Sequence, residues 1–184
     1  MKKIITCLFT FMVMNTAFGQ GNFDLGSNVI GVGIGVGGGY ASGFTYGSQS
    51  PAINLQYERG MWSIGGPGII SLGAYVAFKT YKYDYGYSNY SSKWTYTIVG
   101  VRSAYHFNGI PSDKLDVYGG LMLGMRIVSY TNNEPFYNID YYNTSDVILT
   151  GYIGGRYYFS ENVGGFLELG NGLSALNIGV VFKF

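Results

Sequence analysis

Three glycines in NVIGVGIGVGGGY (residues 28–40), Gly33, Gly35 and Gly38, stand at the G-x-G-x-x-G spacing with which a strand–turn–helix unit cradles a dinucleotide pyrophosphate. That chemistry needs a helix directly after the turn and an acidic residue about 20 positions further on. The chain continues instead with YASGFTYGSQSP, which has no helical periodicity, and the next acidic residue, Glu58, lies in a segment that alternates like a strand. Ile30, Val32, Ile34 and Val36 share one parity, and Gly31, Gly33, Gly35 and Gly37 the other. This is the two-residue period of a strand with one greasy face and one bare face. The nucleotide reading fails, and the bare face needs another reason.

Other chemistry-bearing residues are sparse. His106 is the single histidine, and no cluster offers the ligand set of a zinc site, so no metal and no cofactor is expected. Charged residues make up 11% of the chain, well under the roughly 25% of soluble domains, while there are 30 glycines and 19 tyrosines. Lys2 and Lys3, the apolar run Ile4 to Met14 and the small residues around Ala17-Phe18-Gly19 read as a signal peptide over 1–19. That run is too short for a membrane-spanning helix, which takes about 20 apolar residues. The mature chain, 20–184, then has no cysteine, since the only one is Cys7, and carries nine basic against ten acidic residues. No basic patch of the kind nucleic acid requires is present. An exported chain without disulfides must be held together by other means.

Eight segments keep the two-residue alternation: 28–38, 51–60, 69–81, 94–107, 115–128, 147–159, 163–170 and 175–184. The third sets Ile70, Leu72, Ala74, Val76 and Phe78 against Ser71, Gly73, Tyr75, Ala77 and Lys79; the fifth sets Leu121, Leu123, Met125 and Ile127 against Gly120, Gly124 and Arg126. Alternation is blind to which face is inside. Three features decide for greasy-out. The polar parity carries glycine, tyrosine and scattered ions, as a narrow packed lumen would. The greasy parity is free of charge through the middle of each segment, as lipid contact demands. Aromatics gather on the greasy parity at the ends of the even-numbered segments, Tyr57, Tyr105 with Phe107, Tyr157 with Phe159, and Phe182 with Phe184, and would form one interfacial ring. Links 61–68, 108–114 and 160–162 suit periplasmic turns, and the longer 39–50, 82–93 and 129–146 suit extracellular loops. The expectation is all-β: an eight-stranded antiparallel up-and-down transmembrane β-barrel, with one domain over 20–184.

The C-terminal FLELGNGLSALNIGVVFKF (166–184) resembles the closing hairpin of small outer-membrane barrels, and VGVRSAYHF (99–107) and GGRYYFSENVGGFLELG (154–170) are similar to the OmpA/OmpX-like outer-membrane β-barrel families. Phe182 and the terminal Phe184 look like the signal read by the barrel-assembly machinery. The resemblance implies insertion in the outer membrane of a Gram-negative bacterium among lipid and lipopolysaccharide, with both termini in the periplasm. It implies no single activity, because such families include structural, adhesive and enzymatic members. No peptidoglycan-binding domain is expected after Phe184.

Within such a barrel, Glu58, Lys79, Arg102, Arg126, Arg156 and Glu168 share the inward parity and are expected to form a lumen charge network. Unpaired, each would cost several kcal/mol, so they must pair or meet water. Eight strands leave an interior just wide enough to fill with side chains, which favours a structural ionic core over a gated pore. Gly31 to Gly37 would make room for Tyr75, Arg102, Arg126 and Tyr152. His106 points inward near the periplasmic end, away from the outer leaflet where lipid A deacylases work, and reads as a packed lumen residue with no catalytic role. The segments 81–94 and 129–145 are dense in tyrosine. Tyr83, Tyr85, Tyr87, Tyr90, Phe136, Tyr137, Tyr141 and Tyr142 are candidates for recognising an extracellular protein or glycan, since tyrosine offers amphipathic contact area at low entropy cost. The functional expectation is a structural or surface-recognition protein; a lipid A-modifying or other outer-membrane enzyme, a narrow solute pore and a soluble ligand-binding barrel are the alternatives.

Overall fold

The computed structural model describes residues 23–38, 48–84, 91–132 and 144–184. They form β1 (Asn28–Val36), β2 (Ser48–Gln49), β3 (Ala52–Ser63), β4 (Gly68–Asp84), β5 (Ser91–Phe107), β6 (Leu115–Asn132), β7 (Thr144–Tyr158), β8 (Val163–Gly170) and β9 (Leu176–Lys183). Every pairing is antiparallel, and pairing of β1 with β9 closes the sheet, leaving no edge along the wall. β2 is a short continuation of β3 along β4, where Ser48 pairs with Lys82. Pro51, which has no N–H for the ladder, interrupts the two. The barrel thus has eight staves, in agreement with the sequence reading.

The stagger of the barrel follows from its register. Starting at Ala52 and passing through Gly35, Asn177, Glu168, Gly154, Tyr118, His106 and Ile69, each paired with the next, a circuit of the wall returns to β3 at Ser63. Ala52 and Ser63 are eleven positions apart, one of them taken up by the bulge between Gly60 and Trp62, which leaves a stagger of ten. Eight strands with that stagger tilt by about 40°.

The outer wall is apolar. Leu121, Leu149 and Val147 are 60%, 70% and 71% exposed, in company with Val99, Val101, Leu123, Ile153 and Val180. On β6 the apolar outward row runs from Val117 to Ile127, ten steps at ~3.3 Å with a tilt of ~40°, or about 25 Å along the barrel axis. That is the height of the apolar band of a transmembrane barrel. Tyr57, Tyr105, Phe107, Tyr157, Phe159 and Phe184 ring its lower rim.

Strand ends differ from expectation on the upper side. β4 runs to Asp84, β5 starts at Ser91, β6 runs to Asn132 and β7 starts at Thr144. The greasy alternation stops where hydrocarbon stops, whereas Thr, Tyr and Trp go on favouring the extended backbone above it. On the lower side β3 continues to Ser63, into the segment expected as a turn.

Candidate functional site: the filled lumen and the upper sheet

Inward residues of β3, β5, β7 and β8 build one ionic cluster across the barrel. Glu58 on β3 is fully buried between Arg102 on β5 and Arg156 on β7, both 1% exposed. Its Oε1 lies 2.7 Å from Arg102 Nε, and its Oε2 accepts from Arg156 Nη2. Arg102 also donates from Nη2 to Glu168 Oε2 on β8 at 2.6 Å and from Nη1 to Gln56 Oε1 at 2.5 Å. Its guanidinium stacks 3.9 Å from the Tyr152 ring, and the Arg156 guanidinium lies 4.5 Å from that of Tyr118. Tyr118 Oη donates to Glu168 Oε2 at 3.2 Å. Low dielectric strengthens each of these contacts and makes any missing partner expensive.

At the lower end Arg156 Nη1 donates to Asp116 Oδ2 at 3.2 Å, and Asp116 Oδ1 meets His106 Nδ1 at 2.8 Å. His106 Nε2 lies 3.1 Å from Ser71 Oγ. The order Ser71–His106–Asp116 has the hydrogen-bond sequence of a hydrolytic triad. All three side chains are buried, however, and Ser71 Oγ is also engaged with the backbone N–H and carbonyl of Ala104. Phe23, fully buried ahead of β1, stacks on the imidazole with ring centroids 3.8 Å apart and planes at 15°. Asn108 Nδ2 holds the Phe23 carbonyl at 3.0 Å, and Gly26 and Ser27 bond to Gly60. Residues 23–27 therefore seal the lower mouth, and the Ser–His–Asp chain acts as a cross-brace beneath the seal.

Of the six charges expected to share a network, the structure brings together Glu58, Arg102, Arg156 and Glu168. Lys79 stands apart near the top of the lumen, donating to the carbonyls of Gly37 and Gly38 at 3.3 and 3.4 Å. Those two glycines have φ of 68° and 70°, the left-handed conformation that leaves their carbonyls turned toward the lysine. Arg126 is at the upper rim in a two-point pair with Asp146, both contacts 2.8 Å, with the side chains 23% and 42% exposed. Their parity is inward, but the long barrel axis separates them from the cluster. Asp116 joins the cluster from the inward parity of its strand, although the expected charge set omits it. Phe23 lies outside any alternating segment, so no periodic signal marks it.

The bare face of β1 is also explained, with different neighbours from those expected. A β-carbon on Gly33 would lie 2.6 Å from Phe166 Cζ and 3.1 Å from Asn54 Oδ1; one on Gly31 would lie 3.0 Å from Gln56. One on Gly35 would strike Ser174 and come within 2.5 Å of Asn177 Oδ1. The space is taken by Asn54, Gln56, Phe166, Ser174 and Asn177, not by Tyr75, Arg102, Arg126 and Tyr152. Gly37 lies past the end of the strand.

Among the recognition candidates, Tyr83 lies at the top of β4 and is 37% exposed. Tyr85, Tyr87, Tyr90, Phe136, Tyr137, Tyr141 and Tyr142 fall outside the described residues. Trp94 and Tyr130 face each other across β5 and β6, centroids 5.1 Å apart, on the same side of the upper sheet. Phe182 and Phe184 stack in the lower belt, centroids 6.0 Å apart.

An apolar outer band around a side-chain-filled interior defines a small eight-stranded transmembrane β-barrel. Among solved structures the chain is similar to the attachment invasion locus protein Ail of Yersinia pestis, crystallised in complex with the heparin analogue sucrose octasulfate, with a TM-score of 0.58 at 13% identity over 88% of this chain and 100% of that one. It is also similar to the N-terminal β-barrel domain of Pseudomonas aeruginosa OprF, with a TM-score of 0.47 at 16% identity over 89% and 98%. No protein-family model and no curated protein matches the sequence.

Proposed function

We propose that the protein is an integral outer-membrane barrel, exported through the leader at residues 1–19, that carries a surface-recognition sheet on a non-conducting and non-enzymatic base. The observation behind this reading is the uneven height of the wall. β4, β5 and β6 are 17, 17 and 18 residues long, against the 9–11 that cross a bilayer. β8 and β9 are 8 residues each. Beneath the tall staves the lumen is packed with buried ion pairs, which supports a protein that works at its outer rim. Tyr83, Trp94 and Tyr130 on the inward face of that sheet, lining its upper end, together with the tyrosine-rich segments it carries, supply contact area for a glycan or a host protein. The heparin analogue seen with the Yersinia protein makes sulfated glycans a natural first ligand class to test.

The test displays the protein on a non-adherent bacterial host and scores adhesion to immobilised sulfated glycans and matrix glycoproteins. A companion variant replaces residues 81–94 with a two-residue turn. Adhesion by the full chain and its loss in the variant, with the heat-dependent gel mobility of a folded barrel retained in both, is the expected result. Equal adhesion by both chains, or none by either, refutes the recognition role.

A further inference from the structure

β1 closes the barrel against β9, and its own sequence does not fix its register. From Ile30 to Gly37 it repeats a β-branched apolar residue and a glycine every two positions. Sliding β1 down by two residues, ~6.7 Å, puts Val32, Ile34 and Val36 where Ile30, Val32 and Ile34 stood. Inside, Gly33, Gly35 and Gly37 take the places of Gly31, Gly33 and Gly35, so no β-carbon enters the tight positions. The eight pairs that Val29 to Val36 make with β9 are replaced by eight from Gly31 to Gly38. A glycine-rich strand of this kind is weakly specified in register.

Sliding the other way is blocked by one side chain. Val29, 1% exposed, would enter the place of Gly31, where a β-carbon alone lies 3.0 Å from Gln56 Cγ and 3.1 Å from Val181 Cγ1. At the upper end Lys79 holds the carbonyls of Gly37 and Gly38, a group that every residue offers, so this contact selects no register. The side-chain contacts that distinguish one register from the next lie at the lower end. The Tyr57 hydroxyl donates to Asn28 Oδ1 at 2.8 Å, and Asn108 Nδ2 holds the Phe23 carbonyl. The Phe23 ring stacks on His106 within a buried cluster that includes Ile69, Tyr158 and Val181. A downward slide carries Phe23 ~6.7 Å along the chain and out of this slot.

We propose that residues 23–27 are a register pin: Phe23, docked on His106, holds the closing strand against a two-residue slide that its own alternation permits. The slot is built by β4, β5, β7 and β9 with the link after β5, so the pin reads the closed barrel and not one neighbouring strand.

The experiment is disulfide mapping in lipid vesicles of the full chain with Cys7→Ser, which leaves no other thiol, oxidised with a copper catalyst. Val32→Cys/Val180→Cys reports the native register, because the two positions are direct partners at the ~5.5 Å between α-carbons that a disulfide bridges. Ile34→Cys/Val180→Cys reports the downward slide and Ile30→Cys/Val180→Cys the upward one. In the native register both pairs lie ~8–9 Å apart, beyond a disulfide. With the pin intact, only the native pair is expected to bridge. Phe23→Ala should raise the ratio of downward to native bridging at least about 100-fold, the change that losing a buried aromatic side chain makes in an equilibrium. Gly60→Ala, whose β-carbon would strike the Asp24 carbonyl oxygen, displaces the pin without altering it and should raise the same ratio. The upward pair should stay unbridged in both, since Val29 blocks that direction. Leu173→Ala, which empties a buried apolar place at the upper end, controls for lost stability alone and should bridge only the native pair. Native bridging alone in Phe23→Ala, upward bridging as strong as downward, or a Leu173→Ala chain that slides as readily would each overturn the proposal. If Phe23→Ala gives no heat-shifted band, Gly60→Ala decides by the same criterion.

Discussion

Glu58→Ala removes the acceptor shared by two buried guanidinium groups, and its cost can be worked from the contacts. Arg102 keeps Glu168 at 2.6 Å and Gln56 at 2.5 Å; Arg156 keeps Asp116 at 3.2 Å. Each cation therefore loses one carboxylate of two and is not stranded outright. Removing one member of a buried pair costs about 3–5 kcal/mol, and the remaining partners place this variant near 3 kcal/mol. That is a change of roughly 150-fold in the folding equilibrium. Glu58→Gln, which keeps an acceptor oxygen but no charge, should cost about half as much. Arg126→Ala is the control, because its pair with Asp146 is partly exposed and should be worth about 0–1 kcal/mol. The assay is urea unfolding in lipid vesicles, read as the fraction migrating at the folded, unboiled position. A Glu58→Ala midpoint equal to wild type would sink the assignment, and so would an Arg126→Ala shift as large as that of Glu58→Ala.

Further outcomes follow from the same packing. Gly33→Ala drives a methyl group to 2.6 Å from Phe166 and should cost about 1–3 kcal/mol, with Phe166→Leu restoring part of it; Gly172→Ala, where nothing lies within 4 Å, should be neutral in the same unfolding assay. Phe23→Ala should cost about 3–5 kcal/mol and expose the segment around residue 23 to protease added to the detergent-solubilised barrel; unchanged protection would remove the seal. A fluorophosphonate probe should leave Ser71 unlabelled in the folded protein, since its hydroxyl is buried beneath Phe23 and bonded to the wall, and labelling detected by peptide mapping would reopen the enzymatic alternative. Planar bilayers holding wild-type protein should show no regular single-channel steps, because the cluster from Glu58 to Glu168 fills the lumen.

What the sequence made legible depended on which solvent each residue meets. The outward rows of β1 and of β3 to β9 are apolar along their middle stretches, so the two-residue period is plain there, and it carries both the strand count and the inside–outside assignment. The same dependence produced the errors at the upper ends. Lys93, Ser129 and Thr131 continue the ladder beyond the expected ends without an apolar outward side chain, so the pattern fades before the strand does. Inward parity was legible for Glu58, Arg102, Arg156 and Glu168, but height was not. Height depends on a stagger of ten accumulated round the barrel, and no local pattern encodes that. Lys79 and Arg126 were grouped with charges that the stagger places in another layer. Phe23 carries no pattern, because its position is fixed by a turn bonded to Gly60.

The bare face of β1 shows why closure and filling must be solved together. At eight strands with a stagger of ten, the interior section is fixed by backbone geometry and cannot widen to admit a larger side chain. Two guanidinium groups, each stacked on a tyrosine, occupy the section from β5 and β7. The opposite side then receives Gln56, Asn54 and Phe166 from the strands at and beyond β1's flanks, leaving no space for β-carbons on Gly33 and Gly35 and a tight fit for one on Gly31. Glycines in a strand interior cost roughly 0.5–1 kcal/mol each relative to alanine. Alanine at Gly33 or Gly35 would meet overlap costing about 1–3 kcal/mol, so glycine is the lower-energy choice at both. The spacing that mimics a nucleotide fingerprint is therefore the imprint, on one strand, of side chains carried by the others.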